Sequence, residues 1–199
     1  FTRRADLPGG NDVLAAVEAA RPHLEELDPL VDRLFDALEA VLGAGGGRES
    51  IRFTAASRTG PAWPAIDAAR TELTHHLAAV LDHANRTLKA LQTVPEEALP
   101  ERMDFEQDLL GTGMLLKEFT EHLGLVLGGA QTDLVFWIQR SGNGTWRQVR
   151  AWAAPLNIGT LLHEHLYAKK ETVIFTSATL SVAGSMAFMR QRLGLGEVD

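Results

Sequence analysis

Near the end of the sequence, a run of hydroxyl side chains follows a short apolar segment. Residues 172–181 read TVIFTSATLS. TVIF is typical of a strand covered on both faces, and ligands of open α/β sheets gather at the carboxyl ends of strands. At that position Ser177 and Thr179 can exchange hydrogen bonds with neighbours, and Ala178 leaves room for a backbone or a ligand. The segment therefore predicts a polar corner beside a ligand.

A second group with chemical potential lies in a predicted β-hairpin. The strand DLVFWIQR at 133–140 is followed by the turn SGNGT and by the alternating segment WRQVRAWAA at 146–154. Arginines next to aromatic rings on a sheet can stack bases and neutralise phosphates. The expected nucleic-acid contacts are Arg140, Arg147, Arg150 and Trp146, and Trp137 and Trp152 lie beside them.

Both groups also have a purely structural interpretation. Ser181 and Ser185 can cap the helix that follows, while the other hydroxyls satisfy a turn. The tryptophans can fill a seam between two parts of the protein, with the stems of the arginines covering them. The sequence leaves both alternatives open.

Three histidines, His75, His76 and His83, fall on one predicted helix. No carboxylate stands near them at the spacing of a zinc motif such as HExxH. We expect these side chains to have a surface or packing role, and we assign no metal site and no catalytic residue to the chain.

Three long helices are predicted before residue 130. Apolar residues recur every three or four positions at 24–42, 66–91 and 105–126, and prolines and glycines stand at the boundaries. Each helix offers one apolar stripe, so the three should pack as antiparallel neighbours. Met114, Leu115 and Phe119 are expected in the core of this bundle.

After residue 130 the pattern changes to alternating strands and helices. The hairpin is followed by a helix capped by Asn157, the strand TVIF, and a helix from about 185 to 193 that Gly194 closes. SIRFT at 50–54 is a further short strand. The expected fold is mainly α with a small α/β part, organised as a helical domain at 1–130 and an α/β segment at 131–199.

Charge and composition restrict the function further. The chain has 199 residues and a net charge of −7, which divides into −9 over residues 1–130 and +2 over residues 131–199. The acidic first part argues against broad binding of nucleic acid there. The lack of cysteine fits a reducing compartment, and we expect a cytoplasmic protein without a membrane segment. The missing initiator Met suggests a piece of a longer protein.

The segment 154–195 resembles the region around motif III of superfamily 2 helicases of the DinG/XPD type. The likeness includes Pro155 before an Asn-capped helix with paired leucines, the strand TVIF, the TSATLS loop and the closing Arg-Leu-Gly-Leu. The helical stretch 11–129 corresponds in length and character to the arch domain inserted in the first motor domain of that family. The whole run of about forty residues, rather than Ser-Ala-Thr alone, carries the resemblance.

This resemblance implies an ATP-dependent DNA helicase. Ser177, Ala178 and Thr179 would form its coupling motif, linking ATP hydrolysis to movement, and the arch would close over single-stranded DNA. ATP, Mg²⁺ and a possible iron–sulfur cluster would bind elsewhere, because the chain has no GxxxxGK[ST], no DEAH box and no cysteine. We therefore expect a partial RecA-like segment that does not hydrolyse ATP by itself.

The alternative function is a free-standing helical module for protein interactions. Acidic helices and the lack of ATP-binding motifs would be natural for such a module. Under either interpretation the apolar strand TVIF has to be buried against other residues. The hairpin or a second copy of the chain would supply them, so self-association is a further expectation.

Overall fold

The computed structural model of the chain describes residues 9–44, 49–129, 131–141, 148–177, 179, 181 and 184–196. Seven α-helices and three strands are present in these residues. In chain order they are α1 (Gly10–Glu25), α2 (Leu27–Ala44), β1 (Ser50–Phe53), α3 (Ala55–Arg58), α4 (Trp63–Leu91), α5 (Arg102–Gly128), β2 (Leu134–Ser141), β3 (Gln148–Pro155), α6 (Gly159–His165) and α7 (Ala187–Leu193).

The predicted fold class is confirmed: the protein is mainly α with a small α/β part. The chain forms two compact units. One comprises residues 1–130 and 136–152, and the other comprises residues 131–135 and 153–199. The sheet is antiparallel, with strand order β1-β2-β3. These three strands do not test the RecA-like organisation expected of residues 131–199, which stays a prediction.

Helix α4 is the centre of the first unit, and α1, α2 and α5 all pack against it. It begins at Trp63 with Pro64 in its first turn, where a missing backbone N–H costs nothing. Apolar residues at helical spacing give α4 a buried stripe that includes Ile66, Leu73 and Leu77. These residues confirm the predicted apolar face of the second long helix.

The two prolines of the first helical stretch, Pro22 and Pro29, have different effects on it. Helix α1 continues through Pro22 to Glu25, although a proline inside a helix removes one backbone hydrogen bond. The break comes at Glu26, and α2 starts at Leu27 with Pro29 in its first turn. First-turn N–H groups have no partner within a helix, so a proline is tolerated there. The buried leucines of α2 recur every fourth residue, at 30, 34, 38 and 42.

The expected core position of three residues of α5 is wrong. Met114 is 74% exposed, Leu115 is 68% exposed and Phe119 is 43% exposed. Helix α5 packs with its Gly113 side toward Leu81 of α4. No described element covers its opposite side, so one helix neighbour buries only one stripe and leaves these apolar side chains in solvent.

The sheet buries one face against the helices of the first unit. Strand β1 confirms the strand predicted at 50–54, and it pairs Phe53 with Phe136 and Ile51 with Ile138 of β2. Phe53, Phe136 and Ile138 are buried. At the start of β2, away from the hairpin turn, the Leu156 N–H donates a 2.7 Å hydrogen bond to the Asp133 carbonyl. The predicted turn at 142–147 lies outside the described residues.

Arg58 contacts four elements of the first unit: α5, β1, α4 and β2. Its guanidinium donates hydrogen bonds to the carbonyls of Leu127 and Val126 at the carboxyl end of α5, where helices leave carbonyls unpaired. The same group lies over the rings of Phe53, Trp63 and Phe136 at 4.7–5.7 Å from their centroids. Partial burial lowers the pKa of Arg58 from its ordinary value. Because Arg58 precedes α4 and binds the end of α5, these helices run antiparallel, as predicted.

The second unit is held by contacts between α6 and α7. The Asn157 side chain accepts a 2.9 Å hydrogen bond from the Gly159 N–H, which confirms Asn157 as a cap. The Tyr167 hydroxyl donates to the Leu193 carbonyl at 2.8 Å. Gly194 has a φ of 68° and ends α7, as predicted from its position in the sequence. A Cβ atom on Gly159 would come within 2.6 Å of the Gly194 Cα.

Substitution of Gly159 by alanine is therefore expected to separate α6 from α7. Backbone atoms of Gly194 cannot rotate away from an added methyl group as a side chain would, and overpacking typically costs about 1–3 kcal/mol. Limited proteolysis should cut the second unit of the variant faster than that of the wild type. Gly196→Ala is the control, because no atom lies within 4 Å of a Cβ placed there. Equal cleavage of both variants would contradict this packing.

The predicted strand TVIF is not formed. Residues 172–177 have no regular secondary structure, and Ile174 is 82% exposed. A central strand needs neighbours on both sides, and the three strands of the described residues pair only with one another. Phe175 packs instead on the ring of Tyr167, with centroids 6.2 Å apart.

The long helices are not of the membrane-spanning kind. Within the residues that the structure describes, no helix combines sufficient length with sufficient apolar character to cross a bilayer.

Candidate nucleic-acid interface

The solvent-facing side of the sheet carries a pair of stacked tryptophans. Trp137 of β2 and Trp152 of β3 have ring centroids 5.9 Å apart and an interplanar angle of 10°. Their neighbours Phe136 and Ile138 point to the buried face, because side chains alternate along a strand. Trp152 remains 40% exposed, so one ring of the pair offers area to a ligand.

Two arginines flank this pair. Arg52 of β1 is directly opposite Trp137 in the register of the sheet, and directly opposed residues share a face. Arg150 shares the face of Trp152, two residues away along β3. Both arginines are exposed, and Arg150 donates a 3.1 Å hydrogen bond to the Gln148 side chain. We call Arg52, Trp137, Arg150 and Trp152 the Trp–Arg face.

Arg52 is not among the nucleic-acid contacts predicted from the sequence. The signal was present in the alternation of SIRF, which places Arg52 and Ser50 on one side and Ile51 and Phe53 on the other. What the sequence did not reveal is that β1 pairs with β2, which lies more than eighty residues later.

Arg140 lies on the opposite side of β2 from the tryptophans. It forms an ion pair with Glu39 of α2 at 3.2 Å, and its side chain is only 19% exposed. Its backbone N–H also donates to the Glu49 carbonyl at 2.7 Å. In this position Arg140 links the sheet to α2 and does not share the Trp–Arg face.

Acidic side chains lie near one end of β3. Asp36 and Glu39 of α2 line a small hollow together with Gln148 and Arg150. Their negative potential opposes a phosphate at that end of the strand. Arg52 of β1 is not among the residues that line this hollow, and we expect it to be the stronger phosphate contact.

The predicted hydroxyl corner is exposed in the second unit. The Thr179 N–H donates to the Ser177 Oγ at 3.2 Å, and the two hydroxyl oxygens are 3.3 Å apart. Ser185 accepts a 3.2 Å hydrogen bond from the Ala187 N–H at the start of α7, which agrees with the structural interpretation of that residue. Ala178, Trp146 and Arg147 lie outside the described residues.

Comparison with known proteins gives one informative similarity. No protein-family model matches the sequence. The 3'-5' exonuclease DinG of Bacillus subtilis (strain 168) is 29% identical to the chain over 135 residues. The alignment covers 64% of the chain and 14% of that protein, so the chain spans a small part of the relative's length. The similarity supports a DinG-like relationship for this chain.

Proposed function

We propose that the chain is part of a DinG-type, ATP-dependent DNA helicase and that its Trp–Arg face contacts single-stranded DNA. The observation that carries the proposal is the stacked pair Trp137 and Trp152 with an exposed arginine on each side. The similarity to DinG supports it independently. The alternative of a free-standing interaction module gains no support from that similarity.

The chemistry of this face suits a single strand better than a duplex. An aromatic ring can stack on any base that is not already stacked in a double helix, without regard to sequence. Arg52 and Arg150 can neutralise neighbouring phosphates as the strand crosses the tryptophans. The face contains no carboxylate, although residues 1–130 as a whole are acidic. Binding would thus be local and would not extend over the helices.

The remaining parts of the proposal concern the whole protein. Residues 1–130 would form the arch, and residues 131–199 would belong to the first motor domain, with Ser177, Ala178 and Thr179 coupling ATP hydrolysis to movement. ATP and Mg²⁺ would bind elsewhere in the protein, as would an iron–sulfur cluster if it has one. Because the chain spans 14% of DinG, the nuclease activity in that protein's name is not assigned to any residue here.

The salt dependence of DNA binding tests the proposal. The Arg52→Ala variant should bind single-stranded oligonucleotides more weakly, and its plot of log K against log salt should be flatter by about 0.7 per lost phosphate contact. Arg150→Ala should have a similar or smaller effect, because Asp36 and Glu39 lie near it. Fluorescence anisotropy with a labelled oligonucleotide between 50 and about 200 mM salt gives both quantities.

Arg33→Ala is the matched control. Arg33 is an exposed arginine of the same unit, paired with Glu72 at 2.7 Å and placed on α2 instead of the sheet. Its substitution should leave the salt slope unchanged. An unchanged slope in Arg52→Ala and Arg150→Ala alike would refute the role of this face in DNA binding.

A further inference from the structure

Four histidines meet where α1 packs against α4. His23 of α1 lies among His75, His76 and His83 of α4, with ring centroids 6.4, 5.1 and 5.8 Å from its own. The Nδ1 atoms of His23 and His76 are 3.3 Å apart. Only one of these two nitrogens can carry a proton if they share a hydrogen bond, so the observed contact requires at least one neutral imidazole.

The surroundings of His23 favour its neutral form. The pKa of His23 is lowered, first by partial burial and then by repulsion from His76, His83 and His75. No carboxylate of α1, or of the neighbouring helices α2 and α4, contributes to this shift. The Nδ1 atom of His83 is buried and has no hydrogen-bond partner in the part of the chain that the structure describes. A second or third positive charge in this cluster would thus be uncompensated.

The histidines are not arranged as a metal site. Among the described residues, no three ligating side chains converge on a common point that would hold a metal ion. Proton binding, by contrast, needs no convergence of ligands, and a proton on His23 would face the other three imidazoles.

We propose that these four imidazoles form a proton-sensitive joint, which holds α1 on α4 while His23 is neutral and releases α1 as His23 becomes protonated. A histidine whose pKa is lower in the folded state than in the unfolded state stabilises folding fully above its unfolded value of about 6.5. That contribution is lost as the pH falls from about 6.5 to the folded pKa. The release of α1 therefore belongs to mildly acidic conditions, above the range in which most carboxylates titrate.

Release of α1 from α4 would expose apolar surface to solvent. Val13, Leu14 and Val17 of α1 form one wall of an apolar cavity of about 430 Å³, and residues of α4 and α5 such as Leu91 and Leu109 form the others. When α1 leaves α4, this apolar wall opens to solvent. A dye that binds exposed apolar surface, such as ANS, should then fluoresce more strongly.

Hydrogen exchange between pH 8 and about pH 5.5, in EDTA, tests the joint. We expect the protection factors of the α1 amides to fall by about tenfold for each unit by which the folded pKa lies below the unfolded one. ANS fluorescence should rise over the same range. In His23→Gln, which removes the central imidazole, both changes should be much smaller. His122→Gln, an exposed histidine on α5, should behave as the wild type.

Direct titration of the wild-type histidines by NMR makes the result independent of how well the variants fold. A pKa for His23 below about 6.5 supports the joint. A pKa for His23 at or above that value would overturn it. Equal loss of α1 protection in the wild type and in a folded His23→Gln variant would also overturn it.

Discussion

Replacement of Trp152 by alanine is expected to weaken the binding of single-stranded DNA by about 5- to 150-fold. Stacking of one base on an aromatic side chain is worth about 1–3 kcal/mol, which corresponds to that range of affinities. Trp152 is the more accessible residue of the pair, since it is 40% exposed and Trp137 is only partly exposed. The two rings stack at a centroid distance of 5.9 Å. The affinity should be measured by anisotropy at a single, stated salt concentration.

Two further variants separate stacking from a general effect on the fold. Trp152→Phe keeps a flat ring and should recover a large part of the affinity. Phe119→Ala removes an aromatic residue of similar exposure (43%) from α5, which is not part of the sheet, and should not change binding. If Trp152→Ala binds as tightly as the wild type, the tryptophan pair has a packing role only. Thermal unfolding of each variant shows whether the sheet remains intact.

Substitution of Arg58 by alanine is expected to destabilise the first unit by about 3 kcal/mol. The variant loses charge-assisted hydrogen bonds to two carbonyls of α5, of which each is worth roughly 1.5–3 kcal/mol, and contacts with three aromatic rings. Arg58→Ala also leaves the partly buried end of α5 without a donor. At about 2–4 °C per kcal/mol for a chain of this size, the midpoint of thermal unfolding should fall by about 6–12 °C.

Arg58→Lys and Arg86→Ala complete this experiment. Lysine keeps the charge but lacks the planar group that reaches two carbonyls while lying over rings, so it should recover only part of the stability. Arg86 forms an ion pair with Asp82 on the exposed side of α4, and such pairs contribute about 0–1 kcal/mol. A loss of stability in Arg58→Ala no greater than that in Arg86→Ala would show that Arg58 does not hold α5.

The helices were predictable because their signals are local. Apolar residues three and four positions apart indicate α4 and α5 without knowledge of their neighbours. Pro64 marks the start of α4, and Gly129 marks the end of α5. The exposure of Met114 and Leu115 was not predictable in this way. Whether an apolar side of a helix is covered depends on how many other helices pack on it, which no short window of sequence contains.

The candidate site was predictable only in part, for the same reason. Alternation within one strand places Trp152 and Arg150 on a common face. Arg52 and His23 join their groups through contacts between segments far apart in the chain, and Arg140 turns to Glu39 through a similar long-range contact. The segment 172–175 has the composition of a strand but does not form one, because no other strand pairs with it among the described residues.

Among the strands that the structure describes, β3 lies at an edge of the sheet, and there Arg150 and Pro155 can also hinder aggregation. An outermost strand offers unpaired backbone groups to any other extended chain, and charged residues and prolines hinder such aggregation. Removal of the Arg150 charge is thus expected to promote aggregation of the protein as well as to lower its affinity for DNA. Any loss of binding in Arg150→Ala has to be compared with the size distribution of the protein in solution, because a precipitating sample would imitate a weakened interface.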